Sequence, residues 1–136
     1  MLVTKHSIAL LLFVFACTVT IGCGPGGPPS GQVIGNVTYK DKPLPTGTIM
    51  LIPEKEGMPY AQGTIQPDGT YHVETKEYGK NVPIGSYRVM ISAVEDLGPE
   101  HPVRPLIPSR YSSEAQSGLT ANVQEGENKI NFDLKK

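Results

Sequence analysis

Few side chains in this chain are of the kinds that do chemistry, and most are spaced against it. His72 and Glu74 stand two residues apart. On an extended strand that spacing sends both to one face, where they could supply two metal ligands, or a base and its partner, to an enzyme site. The same spacing, alternating with Tyr71 and Val73, describes a solvated polar face. Glu100 and His101 would add ligands only if their segment folds back. There is no H-E-x-x-H helix, no Cys pair and no G-x-S-x-G turn. Ser86, Ser92, Ser112, Ser113 and Ser117 have no identifiable base. A Lys–Asn isopeptide crosslink would need Lys40 or Lys42, Asn131 and an acid buried together. Those residues fall at a strand end, in a loop and on an outward strand position. The side chains therefore assign no catalytic residue, no metal and no cofactor.

Cys23 is different. Lys5 lies in a short basic start, Ile8 to Ala16 is unbroken apolar, and Thr20-Ile21-Gly22 leads into Cys23. A brief apolar core with a small residue before the cut describes an export leader. It is shorter than the about 20 residues a spanning helix needs. A cysteine directly after Gly22 matches the bacterial lipobox, with residues 1–22 as signal peptide and Cys23 acylated as the new first residue. Thr20 stands where that pattern has Leu, Val or Ile, and Val14-Phe15-Ala16-Cys17 is a second candidate with bulky Phe15 near the cut. Cutting without acylation is the other outcome of such a leader. The expected address is the membrane of a bacterial cell envelope, reached through the lipid. Gly24 after the cysteine offers no Asp-type retention signal, which favours the outer membrane.

About one hundred residues remain to fold, enough for one domain with one core. Acylation of Cys23 would leave no thiol for a disulfide, so the core alone must hold the fold. The charges balance, 12 Lys+Arg against 13 Asp+Glu, without a basic stripe. Nucleic acid is excluded as a partner on that ground. A polybasic patch for anionic lipid is also missing.

Gly24 to Ser30 is a Pro/Gly tether without apolar side chains, making 23–30 a spacer and 31–136 the domain. From Gly31 the apolar residues alternate. The segments are Val33 to Tyr39, Thr48 to Ile52, Ala61 to Gln66, Tyr71 to Glu74, Tyr87 to Ser92, Leu119 to Val123, and Ile130 to Leu134. Seven segments of period two predict half-buried antiparallel strands packed as a sandwich, with Val89 and Phe132 in the core. Pro67-Asp68-Gly69 predicts a tight turn, Asp41 to Pro45 the first loop, and Glu125 to Asn128 the closure of a last hairpin. Val94 to Gln116 holds four prolines and no strand pattern, and reads as a long loop.

The ordered series Gly35-x-Val37, Lys42-Pro43-Leu44, Gly47-x-Ile49-x-Leu51, Asp68-Gly69-x-Tyr71, Gly85-x-Tyr87-x-Val89, Ile107-Pro108-x-x-Tyr111, Ser117-Gly118-Leu119 and Gly126-x-Asn128 resembles the bacterial carboxypeptidase regulatory-like domain lipoproteins. The resemblance implies an all-β, seven-stranded antiparallel Greek-key sandwich of transthyretin-like (prealbumin-like) type, exported to the envelope. It supplies no catalytic residues. The expected role is a non-enzymatic binding or structural module whose partner is an envelope protein, a glycan or another copy. The long loop is the candidate partner-binding element, carrying His101, Arg104, Arg110 and Tyr111. Its first half, Glu95 to Arg104, would face the partner, and Ile107 and Tyr111 would pin the second half. Tyr60 and Tyr78, near loops, could stack on a sugar or peptide.

Overall fold

The computed structural model describes residues 26–136. The expected leader, both cysteines and the start of the tether lie outside the described residues. The fold begins with one long strand, β1 (Ser30–Tyr39), in which Val33, Gly35 and Val37 face inward. A two-residue turn at Lys40 and Asp41, both with positive φ, folds it back into β2 (Lys42–Pro43). This is tighter than the loop expected over Asp41 to Pro45. Then come β3 (Gly47–Pro53), β4 (Ala61–Ile65), β5 (Thr70–His72), β6 (Glu74–Thr75) and β7 (Val82–Pro83). The rest comprises β8 (Gly85–Ser92), β9 (Val94–Glu95), β10 (Arg104–Pro105), a 3-10 turn at Ser109–Ser112, β11 (Leu119–Val123), β12 (Gly126–Lys129) and β13 (Phe132–Leu134). No α-helix occurs among the described residues.

Two sheets enclose the core. In the first, β1 pairs antiparallel with β7, β5 and β2 along one edge, and parallel with β12 and β13 along the other. The second has the order β11-β8-β3-β4-β6, all antiparallel. Ile49, Leu51, Tyr87, Val89, Ile91 and Val123 of the second sheet pack against Val33, Val37, Tyr71, Phe132 and Leu134 of the first. Val89 and Phe132 are both in this core. The alternation of these residues is what makes each strand half-buried.

Three expectations are corrected. The seven strands become thirteen short segments, because two-residue pairings along β1 leave no period to read. The segment Glu125 to Asn128 does not close a hairpin. β11 belongs to the second sheet, and the chain crosses to lie parallel to β1. The Asn128 carboxamide fastens that crossover. It accepts from the Gln124 N–H at 2.9 Å and donates to the carbonyls of Gln124, at 2.8 Å, and Gln32, at 3.2 Å. The stretch Val94 to Gln116 is not structureless: β9 and β10 form a hairpin of their own, followed by the 3-10 turn.

The turn at Pro67-Asp68-Gly69 forms as its residues demand. Asp68 accepts from the Thr70 N–H at 3.0 Å and hydroxyl at 2.6 Å, and Gly69 takes φ +84°. Those two bonds, the hydroxyl's foremost, hold the Asp68 carboxyl below its ordinary range. Beyond the turn the strand divides between the sheets: β5 joins β1, and β6 joins β4.

Where β12 passes into β13, the Ile130 carbonyl receives the Tyr71 hydroxyl at 2.5 Å. It lies directly over Gly35, where a Cβ would stand 1.8 Å from the Ile130 oxygen and 3.1 Å from the Tyr71 ring. Only glycine lets the seam close. Gly35→Ala should therefore lose stability at the upper end of the ~1–3 kcal/mol that overpacking costs, or beyond it. Equilibrium urea unfolding measures this, and a variant as stable as the parent would refute the account.

Tyr71 and Tyr87 both carry buried phenols. The Tyr87 hydroxyl donates to the Pro83 carbonyl at 2.7 Å. Burial pushes the Tyr87 phenol up to about 12 and raises Tyr71 further. Below pH ~10, the ordinary tyrosine value, neither the folded nor the unfolded state is ionised and stability is unaffected. Above it the unfolded chain releases these protons first, so stability must fall as pH rises toward the folded-state values. Denaturant midpoints measured across the alkaline range should decline steeply for the parent and more shallowly for Tyr87→Phe.

Candidate functional site

His72 and Glu74 lie on the outer face, as their spacing requires. Their side chains are 3.5 Å apart and about half exposed. They border a shallow polar groove of about 360 Å3 with Thr48, Gln62, Thr64 and Gln66. No third imidazole, thiol or carboxylate joins them among the described residues. The crosslinking triad is not assembled either. Asn131 is exposed and accepts from the Asn36 N–H at 2.9 Å. The Lys40 ammonium sits 5.2 Å over the Tyr39 ring, and the buried polar side chains among the described residues are Thr75 and Ser117.

The loop residues separate into two groups. Tyr111 is buried, and its hydroxyl is saturated. It accepts from the Lys135 N–H at 2.8 Å and from Arg110 at 3.0 Å, and donates to the Lys135 carbonyl at 3.1 Å. Arg110 lies 4.7 Å over the Tyr111 ring and also donates to the Lys135 carbonyl at 2.9 Å. Both therefore fasten the returning segment to the C-terminal strand and offer nothing outward. Ile107 is buried beside them, and the Ser117 hydroxyl donates to the Val89 carbonyl at 2.6 Å. Ile107 and Tyr111 are both buried, and together they pin this half of the loop to the sandwich as expected.

His101 and Arg104 belong to the projecting part. Arg104 pairs across the β9–β10 ladder with Glu95, so its charge is engaged within the hairpin. Asp96 accepts from the Gly98 N–H at 2.9 Å, and the His101 N–H donates to the Gly98 carbonyl at 3.1 Å, shaping the tip. His101 is exposed there.

Sequence reasoning centred on charged and aromatic residues and missed the aliphatic ones. Val94, Leu97 and Val103 are 46%, 46% and 57% exposed, all on this hairpin. Tyr60, Tyr78 and Ile84, at 54%, 39% and 41%, form a second exposed group. The two groups lie at opposite ends of the sandwich. Ile84 immediately precedes β8 and Val94 follows its other end, and eight strand residues separate the ends by ~23 Å. The signal in the sequence was three aliphatics set among prolines with no strand partner of their own.

No protein-family model matches the chain, and no curated protein is similar to it. Among solved structures, it is similar to a DUF3823 family protein from Parabacteroides merdae, at 17% identity and a TM-score of 0.43. That similarity covers 79% of this chain and 47% of the other, so this chain spans about half its length. No family-model match accompanies the carboxypeptidase regulatory-like motifs.

The division of the loop is testable by stability. Tyr111→Phe removes three bonds at a buried hydroxyl and should cost ~1–3 kcal/mol. Arg104→Ala breaks an exposed pair and should cost less than ~1 kcal/mol. Thermal unfolding of the two variants checks the order, and equal losses would contradict it.

Proposed function

We propose that this chain is an exported, lipid-anchored β-sandwich that serves the bacterial cell envelope as a binding module without catalysis. The β9–β10 hairpin is its partner-facing element, and an envelope protein is the partner. One observation carries the reading: Val94, Leu97 and Val103 stand in solvent on a hairpin that adds no strand to either main sheet. Exposed aliphatics gathered on one element mark a contact surface more than scattered ones do. The hairpin has no Phe, Tyr or Trp on which a sugar ring could stack, which favours protein over glycan. The leader-like start and Cys23 support the anchor, and the absence of an Asp after Cys23 supports the outer membrane. The ordered motifs support kinship with the carboxypeptidase regulatory-like lipoproteins.

The test is crosslinking capture from intact envelopes. Leu97→Ser with Val103→Ser should leave thermal unfolding unchanged and lower recovery of the partner about tenfold, the effect of ~1.4 kcal/mol. Cys23→Ser should shift the protein from membrane to soluble fractions or block its maturation. Undiminished capture by the hairpin variant would remove the hairpin from this reading. An unmodified Cys23 in the mature protein would remove the anchor.

A further inference from the structure

The tether is not free up to Ser30. Gly27 lies against the Tyr78 ring, with a Cβ there 3.5 Å from Tyr78 Cδ1. The Ile84 N–H donates to the Pro29 carbonyl at 2.9 Å, and Ser30 pairs with Pro83. Around this exit Pro28, Pro29, Met58, Pro59, Tyr78 and Ile84 line an apolar groove of about 290 Å3. Tyr60, beyond Pro59, is exposed but borders a separate groove with Gln62, Glu74, Thr75 and Lys76. The spacer that the sequence suggested is therefore docked over its last residues, and the chain leaves the domain from the middle of an exposed apolar face.

We infer that this face is a membrane-docking surface, whose occupant is the interfacial layer of a phospholipid bilayer. The inference rests on the lipid-anchor reading and gives it a geometry. From Cys23 to Gly27 the chain spans four residues, at most ~14 Å. A domain of this size has a radius of gyration of ~13 Å. A span that short keeps the end that carries the tether within ~14 Å of the bilayer, so that end is the part of the domain placed to meet it. What lies there has the composition of interfacial contacts: Tyr78, with an apolar ring and a polar tip, flanked by Ile84, Met58 and prolines. Charge does not drive the contact. Lys55, Lys76 and Lys80 are offset by neighbouring Glu54, Glu56 and Glu77. A patch this small binds weakly on its own, but the anchor makes its docking intramolecular, at a local concentration on the order of millimolar. Docked this way, the domain turns the β9–β10 hairpin away from the membrane, because β8 runs from this end to that one.

The chain has no tryptophan, so single replacements report cleanly. Tyr78→Trp and, as control, Leu97→Trp are placed in the mature acylated protein on phosphatidylcholine vesicles. Brominated phosphatidylcholines serve as quenchers. The Tyr78→Trp protein should show a blue-shifted emission and lose intensity to bromines near the headgroups, unchanged in high salt. The Leu97→Trp protein should emit as in water and stay unquenched. Water-like, unquenched emission from Tyr78→Trp with Cys23 acylated would overturn this inference alone. A blue shift abolished by salt would assign the contact to charge and overturn it as well. An unmodified Cys23 by mass spectrometry would overturn the anchor and this inference together.

Discussion

Everything in the first sheet depends on the two edges of β1. Ten residues long, it is the shared partner of five shorter segments, none of which pairs with another segment of that sheet. β7, β5 and β2 are each two or three residues long, too short to hold a register alone. They stay in place because β1 presents a row of backbone groups to pair with and because the strands between them, β3, β4 and β6, are held in the second sheet. The parallel ladder on the other edge is more exacting, since β12 and β13 arrive from the opposite sheet. Their closeness to β1 is possible only because Gly31 and Gly35 carry no side chain. A Cβ at Gly31 would meet the Gln124 carbonyl oxygen at 2.0 Å, and one at Gly35 the Ile130 oxygen at 1.8 Å. The two glycines, four residues apart, are steric conditions for the seam and not flexible joints.

The break between β12 and β13 shows how that seam resolves its own polar groups. At Gly35 and Asn36 the ladder is interrupted, which would leave a carbonyl and an N–H unpaired in a partly buried place. The Tyr71 hydroxyl takes the Ile130 carbonyl and the Asn131 side chain takes the Asn36 N–H. Tyr71 comes from β5, on the opposite edge of β1, so one bond ties the two flanks of the strand together over Gly35. Asn131 thereby finds a purpose as a backbone partner, in place of the crosslinking role weighed for it. Tyr111 does the same for the C-terminal segment. In both cases a buried tyrosine hydroxyl satisfies main-chain groups that the sheet leaves over.

The strand cores were legible because alternation of Val, Ile, Leu and Tyr with polar residues has no other economical solution. The Asp68-Gly69 turn was legible from its residues, and Tyr111 as an anchor from its motif. The parallel closure was not. Gly126-x-Asn128 looks like a hairpin turn until Asn128 is seen spending its amide on the crossover, a long-range choice that local spacing does not encode. The β9–β10 hairpin was hidden for a related reason. Two-residue strands carry no period, and its prolines argue against a ladder that in fact needs only one pair of rungs, Glu95 with Arg104 and Val94 with Pro105. Nor does its place in an apparent loop show how Arg104 is held: opposite Glu95, it pairs within the hairpin while staying exposed.

The distribution of exposed apolar side chains follows from the same architecture. The outer face of the second sheet is mostly polar, with Thr48, Gln62, Thr64, Arg88 and Thr120 around the half-buried Met50, Ile52 and Met90, which limits the apolar surface it offers to another sheet. A broader apolar face there would invite sheet-on-sheet association. At the ends of a sandwich that constraint lapses, since the surface is built from turns and short segments and is already irregular. Val94, Leu97 and Val103 occupy one end and Tyr60, Tyr78 and Ile84 the other. Because β1 starts where the tether enters, and β8 starts beside it after the Pro83–Ile84 step, the chain direction alone assigns one apolar group to the tether end and the other to the end that β8 reaches. The proposed roles of the two groups therefore do not compete for space, and the core between them need only stay rigid enough to hold them apart.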